Sequence, residues 1–403
     1  MYKLIQQPKV VTINFKQLMP DLSKRNRATH HIHRYPAKLI PHIPNYLINK
    51  FTEEEDIVLD PFCGSGTTLL ETILSKRNAF GIELNPVARL LSKVKTTPLN
   101  ILELKNITEN LYAKIKKCEN FMIPEFTNRD LWFNKNVQRD LAKIRTTIDD
   151  LKAEKDIEDF LYICFSAIIY RVSNSEQRDI MPRLSKNPQP PDVITEFFKK
   201  LSYCIDRFCD LEFIKNKSTI IAEDAKKMHS NKKVNMVITS PPYLSAMTYF
   251  RTTKLEYFWL SNGDVESYKK MSKETINGEL FSKSNKELRF IGIPEIDDFI
   301  SSIYQKSPHY GLKASMYFTD MYKVLTNLQK VLVNDGHLAV IVGNSQILDN
   351  RVPLNYFFQL MGIRIGFDLL LEMVDEIKFH KLATIRSKHT NRIYNEHVLL
   401  FKK

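Results

Sequence analysis

The sequence predicts an α/β fold, in which a doubly wound, mostly parallel, seven-stranded sheet carries a helical insertion. Short apolar runs of strand length, such as residues 57–59, 79–82 and 234–238, stand next to segments with helical periodicity, which is typical of strand–helix–strand units. Two of these runs lead into loops rich in glycine or proline, where open α/β sheets bind their ligands. Residues 100–217 interrupt this alternation of strands and helices, because their apolar residues recur at helical spacing.

Composition favours a globular protein with a polyanionic partner. A length of 403 residues suits one large α/β domain with insertions, or two domains. The net charge of +13 favours nucleic acid ahead of a membrane surface, with a generally basic, solvated surface as the alternative. Five scattered cysteines indicate reduced thiols in the cytoplasm. The sequence shows no signal peptide, and its longest apolar run, residues 160–170, is shorter than the ~20 residues of a membrane helix.

A glycine loop follows the first buried strand. It reads Asp60-Pro61-Phe62-Cys63-Gly64-Ser65-Gly66-Thr67-Thr68, and a helix is expected from about Leu69. Strand, glycine turn and helix form a nucleotide-type pocket, where glycines let a ligand approach the backbone and the helix start offers N–H donors. Leu69 replaces the third glycine of a dinucleotide fingerprint. The negative charge of Asp60 suits the ammonium or sulfonium of S-adenosylmethionine better than a pyrophosphate, although Asp60 could also be a cap.

Two further carboxylates follow predicted strands. Glu83 ends the strand at residues 79–82, where an acidic side chain can hold both ribose hydroxyls. Asp224 follows the strand at residues 218–221, where it could accept a hydrogen bond from an adenine amino group. A solvated strand end is the alternative for Glu83, and a helix cap is the alternative for Asp224.

A stiff loop, Ser240-Pro241-Pro242-Tyr243, follows the apolar run at residues 234–238. Two consecutive prolines fix two φ angles and remove two backbone donors. The loop therefore holds a hydroxyl, a carbonyl and an aromatic ring at the carboxyl edge of the sheet. Taken alone, such a loop is equally compatible with a plain strand exit.

The remaining segments complete the predicted organisation. His30, His31 and His33 are expected in a solvated basic segment rather than in a metal site, because no second Cys/His pair at zinc spacing follows them. Residues 261–312 are polar and turn-prone, which predicts a mobile surface loop. The predicted parts are residues 1–99 as the cofactor-binding half, 100–217 as the helical insertion, and 218–403 as the catalytic half with its variable loop at 261–312.

Together the glycine loop and Ser240-Pro241-Pro242-Tyr243 resemble the motif pair of the S-adenosylmethionine-dependent amino-methyltransferases of DNA, the N4-cytosine and N6-adenine group. The resemblance implies a class I methyltransferase, Rossmann-like fold, with Ser240, Pro241, Pro242 and Tyr243 as catalytic residues. Tyr35-Pro36-Ala37-Lys38 is similar to the family's N-terminal segment that closes the cofactor pocket. The implied cofactor-binding residues are Tyr35, Pro36, Ala37, Asp60, Pro61, Phe62, Cys63, Gly64, Ser65, Gly66, Thr67, Thr68, Glu83, Leu84, Asn85, Asp224 and Ala225.

The resemblance also implies an activity of the EC 2.1.1 class. Ser240 and the Pro241 carbonyl would accept hydrogen bonds from an exocyclic amino group, and Tyr243 would stack on a base flipped out of double-stranded DNA. Serine at position 240 favours cytosine N4 in this family, with adenine N6 as the alternative. A cytoplasmic enzyme of a restriction-modification system, with a cognate restriction endonuclease as partner and no metal or membrane, is the corresponding expectation.

Two other function classes stay open. A similar fold methylates RNA or a protein glutamine, but Ser240 departs from the Asp-Pro-Pro-Tyr and Asn-Pro-Pro-Tyr motifs that those enzymes more often carry. A non-catalytic subunit of a restriction complex is the other class, and the intact motifs speak against it. Because the glycine loop precedes the catalytic loop, target recognition could fall to residues 100–217 or 261–312.

Overall fold

The fold is seen in a computed structural model. It describes residues 9–23, 27–36, 38–228, 232–244, 249–276, 287–376 and 395–403. Ala37, one of the residues implied in cofactor binding, lies outside the described residues.

The centre of the molecule is an eight-stranded sheet with the order β1-β9-β10-β6-β5-β2-β3-β4, beside a small β7-β8 hairpin. The strands are β1 Lys9–Thr12, β2 Ile57–Asp60, β3 Asn78–Ile82, β4 Ser218–Ala222, β5 Val234–Thr239, β6 Leu332–Gly343, β7 Ser345–Ile347, β8 Asn350–Val352, β9 Asp368–Glu376 and β10 Asn395–Lys402. Strand β10 is antiparallel to both of its neighbours, and the other pairs of this sheet are parallel. The predicted α/β fold is confirmed. Strand β1, parallel to β9, is an eighth strand that the sequence analysis did not predict.

The helices of the described residues cover both faces of this sheet and form the insertion. They are α1 Phe15–Leu18, α2 His42–Phe51, α3 Thr67–Leu74, α4 Pro86–Lys95, α5 Ile101–Lys117, α6 Arg129–Trp132, α7 Lys135–Asp150, α8 Lys155–Ile169, α9 Val193–Phe208, α10 Lys254–Leu260, α11 Val265–Glu274, α12 Pro294–Lys306, α13 Pro308–Val331 and α14 Leu354–Ile365. Helix α4 begins at Pro86, because the Asn85 side chain accepts from the Val87 N–H and Pro86 takes the first helical position.

Successive residues of the strands alternate between two cores, as the period of a strand requires. Leu59 and Val237 pack with α12, α13 and α14, whereas Val58 and Met236 pack with α2 on the opposite face. A third core joins helices α5, α7, α8 and α9 to α3, α4 and α10. The insertion is therefore packed against the helices that follow β2 and β3. No helix in the described ranges is long and apolar enough to span a membrane.

Residues 261–312 are the first correction. They contain α11 and α12, and α13 begins at Pro308, so the prediction of a surface loop is wrong for most of the described part. Ile296, Ile300 and Ile303 are fully buried. Their spacing of four and three places them on one face of α12, which the polar composition of the stretch obscured.

The histidines are the second correction. His30 and His33 are 4% and 3% exposed, so they do not lie in a solvated segment; His31 is exposed, as expected. His30 Nε2 forms a 2.6 Å hydrogen bond with Glu71 Oε1, and His33 Nε2 lies 3.2 Å from Ser166 Oγ. Burial lowers the pKa of His30 to about 4, so its ring is neutral near pH 7.

Candidate active site

A cavity opens at the carboxyl ends of β2, β3, β4 and β5, and most of the implied site residues line it. Those that do are Tyr35, Asp60, Pro61, Phe62, Cys63, Gly64, Ser65, Thr67, Thr68, Glu83, Leu84, Asp224, Ala225, Ser240 and Pro242. They come from segments more than 200 residues apart in the chain, and the parallel strands carry them to one edge of the sheet.

Gly66 is implied in cofactor binding but is not among the lining residues. Its φ is +76°, and a Cβ at this position would lie 2.8 Å from Ser92 Cβ. Gly64 has a φ of +51°, but a Cβ there would meet Tyr35 Cε1 at an ordinary 3.6 Å. Both positions require a left-handed backbone, and Gly66 in addition lets α3 pack closely on α4.

Pro36, Asn85, Pro241 and Tyr243 also do not line the cavity. The Asn85 side chain caps α4 and donates a 2.8 Å hydrogen bond to Thr253 Oγ1. It therefore stabilises the start of α4 rather than lining the cavity. The Tyr243 ring is 8% exposed and belongs to the core formed with α12 and α13. Its stacking on a base stays a prediction.

Glu83 lies at the end of β3 with both oxygens in hydrogen bonds. Oε2 accepts from the Gly64 N–H and Oε1 from the Asn85 N–H, each at 2.8 Å. Burial, and less strongly the neighbouring charge of Asp60, raises the pKa of Glu83 to about 7 against these hydrogen bonds. Each carboxylate oxygen has two acceptor positions, so the pair can also accept from two hydroxyls.

Asp60 lies at the end of β2 and is 4% exposed. Its Oδ1 accepts from the Phe62 N–H at 3.1 Å. Burial raises the pKa of Asp60 to about 6, although hydrogen bonds lower it in part. A buried carboxylate of this kind is stabilised by a cationic ligand.

The two carboxylate oxygens of Asp224 have different surroundings. Its Oδ1 accepts from the Lys226 N–H at 2.9 Å and caps a short 3₁₀ helix, Ala225–Lys227. Its Oδ2 is buried, has no hydrogen-bond partner within the described ranges, and lies 3.7 Å from Lys227 Nζ. A buried acceptor without a donor is costly, and the amino group of an adenine would supply one.

The sequence analysis missed eight lining residues: Lys38, Leu39, Ile82, Glu223, Phe250, Glu274, Thr275 and Ile276. Three of these, Lys38, Ile82 and Glu223, directly neighbour residues that were implied. The stretch Glu274 to Ile276 begins at the last residue of α11 and gave no local signal, because only the tertiary fold brings it to the cavity. No group of three metal-ligating side chains occurs in the part of the chain that the structure describes.

Residues 8–93 match the family model described as DNA methylase. The chain is 24% identical to the type II methyltransferase M.MvaI of Kocuria varians over 92% of this chain and 89% of the relative. It is 35% identical to the type II methyltransferase M.MjaII of Methanocaldococcus jannaschii over 23% of this chain and 18% of the relative.

Among solved structures, the rRNA methyltransferase aviRa of Streptomyces viridochromogenes is 9% identical over 95% of this chain and 92% of that chain, with a TM-score of 0.34. The matched segment, residues 8–93, contains the glycine loop, Glu83 and Tyr35. Residues 8–93 of this chain thus resemble a DNA methylase domain, and most of the chain is similar to a type II methyltransferase.

Proposed function

We propose that this DNA methyltransferase transfers a methyl group from S-adenosylmethionine to the exocyclic N4 of a cytosine at a specific site in double-stranded DNA. The observation that carries the proposal is that Ser240 lines the same cavity as Asp60, Glu83 and Asp224. Methyl transfer requires the catalytic loop and the cofactor site to border the same cavity.

The order of the strands supports an orientation for the cofactor. Asp224, Glu83 and Ser240 follow β4, β3 and β5, and Asp60 is the last residue of β2. In the sheet these strands are consecutive neighbours in the order β4, β3, β2 and β5. Adjacent strands lie ~4.8 Å apart. With adenine at Asp224 Oδ2, which has no hydrogen-bond partner among the described residues, and ribose at Glu83, the methionine part extends past Asp60 toward Ser240.

The protein's chemical contribution is positioning. The lone pair of an exocyclic amino nitrogen is delocalised into the ring, which makes the nitrogen a poor nucleophile. The Oγ of Ser240, a residue that lines the cavity, would accept a hydrogen bond from one of its N–H groups. The carbonyl of Pro241, which is not among the lining residues, would have to turn toward the cavity to accept from the other, and the two acceptors would direct the lone pair at the cofactor. Bound S-adenosylmethionine supplies an activated methyl group on its sulfonium sulfur. The prolines at 241 and 242 hold both acceptors in a rigid loop.

A base can reach this cavity only outside the duplex, because its amino group is covered by stacking and pairing. We propose that the target cytosine is flipped and stacks on Tyr243. This residue directly follows Pro242, which lines the cavity. The buried ring would have to turn its face toward the incoming base.

Serine at position 240 favours N4 of cytosine, and N6 of adenine is the alternative within the same site. The type II methyltransferases among the relatives support a role in a restriction-modification system with a cognate endonuclease. The net charge of +13 is consistent with a DNA substrate.

The test compares Ser240→Ala with Ser302→Ala, a substitution at an exposed serine on α12. Transfer of labelled methyl groups from S-adenosylmethionine to unmethylated plasmid DNA should fall about 100-fold or more for Ser240→Ala, while cofactor affinity is kept and the control is unaffected. Normal transfer by Ser240→Ala would remove Ser240 from the site. Label in RNA or protein, with none in DNA, would contradict the proposed substrate.

A further inference from the structure

Residues 174–185, between α8 and α9 of the insertion, form a compact loop, which we call the 174–185 loop. The Glu176 N–H donates to the Arg183 carbonyl at 2.8 Å, and the Ser185 N–H donates to the Asn174 carbonyl at 2.9 Å. An antiparallel bridge joins the two arms of the loop between these bonds. The backbone of the loop is therefore ordered by its own hydrogen bonds.

Arg34 anchors the tip of this loop to the rest of the protein. Its Nη2 donates to the carbonyl oxygens of Ile180 at 2.9 Å and of Asp179 at 3.2 Å. The guanidinium carbon lies 3.3 Å from the centroid of the Tyr170 ring, and the Tyr170 hydroxyl donates to the Glu176 carbonyl at 2.8 Å. Charge-assisted hydrogen bonds and a cation–π contact thus hold the tip in one position.

The anchor also places the 174–185 loop beside the cavity. Arg34 directly precedes Tyr35, which lines the cavity. Arg34 lies near Glu256 of α10 as well: burial raises the pKa of this carboxyl to about 7, and the positive charge of Arg34 opposes this rise. Phe250, another lining residue, belongs to the segment that leads into α10. The loop is therefore connected through Arg34 to two segments of the cavity wall.

The positive side chains of this region are available to a partner. Arg178, near the tip of the loop, and Lys186, directly after it, are exposed and form no ion pair with any described residue. The two carboxylates of the loop are bonded within it. Asp179 forms a 2.6 Å ion pair with Arg183, and Glu176 accepts from a serine hydroxyl of the loop at 3.4 Å. The loop therefore presents unpaired positive charge on an ordered backbone, which suits an anionic partner.

A duplex that delivers a flipped base to Ser240 must bring the phosphates beside that base to the mouth of the cavity. Phosphate contacts fix the position of a protein on DNA and supply much of its affinity. We propose that the 174–185 loop is a docking surface for double-stranded DNA, where Arg178 and Lys186 bind phosphates near the target base. This inference rests on the proposed function and assigns a DNA contact to the helical insertion.

Binding of a fluorescently labelled DNA duplex of arbitrary sequence tests the proposal, because phosphate contacts do not depend on sequence. Fluorescence anisotropy measures the dissociation constant between about 50 and 200 mM salt for the wild type, Arg178→Gln, and the double variant with Arg178→Gln and Lys186→Gln. The matched control is Lys50→Gln, which changes an exposed lysine in the last turn of α2. This turn leads into the start of β2 and so lies at the edge of the sheet opposite the cavity.

Each substitution in the proposed surface should weaken duplex binding about five- to tenfold at about 0.1 M salt. Each should also lower the slope of the logarithm of the dissociation constant against the logarithm of the salt concentration by about 1. Methyl transfer to plasmid DNA by Arg178→Gln should show a higher KM for DNA with an unchanged kcat. The control should match the wild type, and an unchanged affinity for S-adenosylmethionine shows that the variants are folded.

Unchanged duplex affinity in the double variant would overturn the proposal, as would a weaker affinity with the wild-type salt slope. The same loss in Lys50→Gln would also overturn it, because it would show a general effect of net charge. Tighter binding of an RNA duplex than of the DNA duplex would overturn DNA as the partner. A wild type that binds the duplex through these residues but transfers no methyl group to DNA would refute the proposed function while supporting the docking surface.

Discussion

The raised pKa of Glu83 predicts that cofactor affinity depends on pH. Burial raises this pKa to about 7, and an ionised carboxylate is the better acceptor for ribose hydroxyls. The ionised fraction of a group with this pKa is about one eleventh at pH 6 and ten elevenths at pH 8, which makes the affinity rise about tenfold between them. Asp60, with a pKa of about 6, adds a factor of about two for a cationic ligand.

Proton linkage determines whether cofactor affinity rises or falls with pH. Both carboxyls bind protons more tightly in the buried, unliganded site, and both must lose them when the cofactor binds. Affinity therefore increases as the pH rises from 6 to 8, by about twentyfold in total. Cofactor binding is accompanied by proton release in this range.

The assay is isothermal titration of S-adenosylmethionine at pH 6, 7 and 8 with the wild type and Glu83→Gln. The glutamine amide would face one of the backbone N–H groups of Gly64 and Asn85, so its affinity should be lower at every pH. The informative quantity is the change in affinity between pH 6 and pH 8, which should fall from about twentyfold in the wild type to the twofold contribution of Asp60. Glu266→Gln changes a carboxylate with an 84% exposed side chain and should keep the full slope. A wild-type affinity that does not change with pH, or a Glu83→Gln variant that keeps the full twentyfold change, would contradict the assignment of the pH dependence to Glu83.

Two further predictions concern the glycine loop. Gly66→Ala and Gly64→Ala both introduce left-handed strain of about 1–2 kcal/mol, but only Gly66→Ala also places a Cβ in steric clash 2.8 Å from Ser92 Cβ. This clash should lower the free energy of unfolding by a further ~1–3 kcal/mol. Urea unfolding of the two variants measures this difference, and equal stabilities would contradict the packing role of Gly66. Asp60→Ala should weaken S-adenosylmethionine binding about tenfold or more, because a cation loses a charged partner; an unchanged dissociation constant would remove Asp60 from the pocket.

The predictions from sequence succeeded where local chemistry determines structure. Residues 57–68 contain a strand, a glycine turn and a helix start in direct succession, and β2 and α3 form there. Asn85 and Pro86 determine the start of α4 by capping and by the proline φ. The two prolines after β5 prevent the chain from continuing as a regular strand or helix. Each of these signals acts within a few residues.

Features that depend on distant partners escaped the sequence analysis. His30 is buried because Glu71, 41 residues away, accepts its hydrogen bond, and nothing near His30 indicates this. The requirement for glycine at position 66 comes from Ser92 on another helix. Glu274 to Ile276 reach the cavity only after α11 has packed. Strand β1 is short and, with its neighbour β9 far away in the chain, gives little local signal.

The most direct test of the central claim is nucleoside mass spectrometry of unmethylated plasmid DNA after incubation with the protein and methyl-labelled S-adenosylmethionine. We expect label in N4-methylcytosine, and none with Ser240→Ala. Label in N6-methyladenine would contradict the base assignment while preserving the family. Label at carbon 5 of cytosine would contradict the proposed amino-nitrogen chemistry altogether.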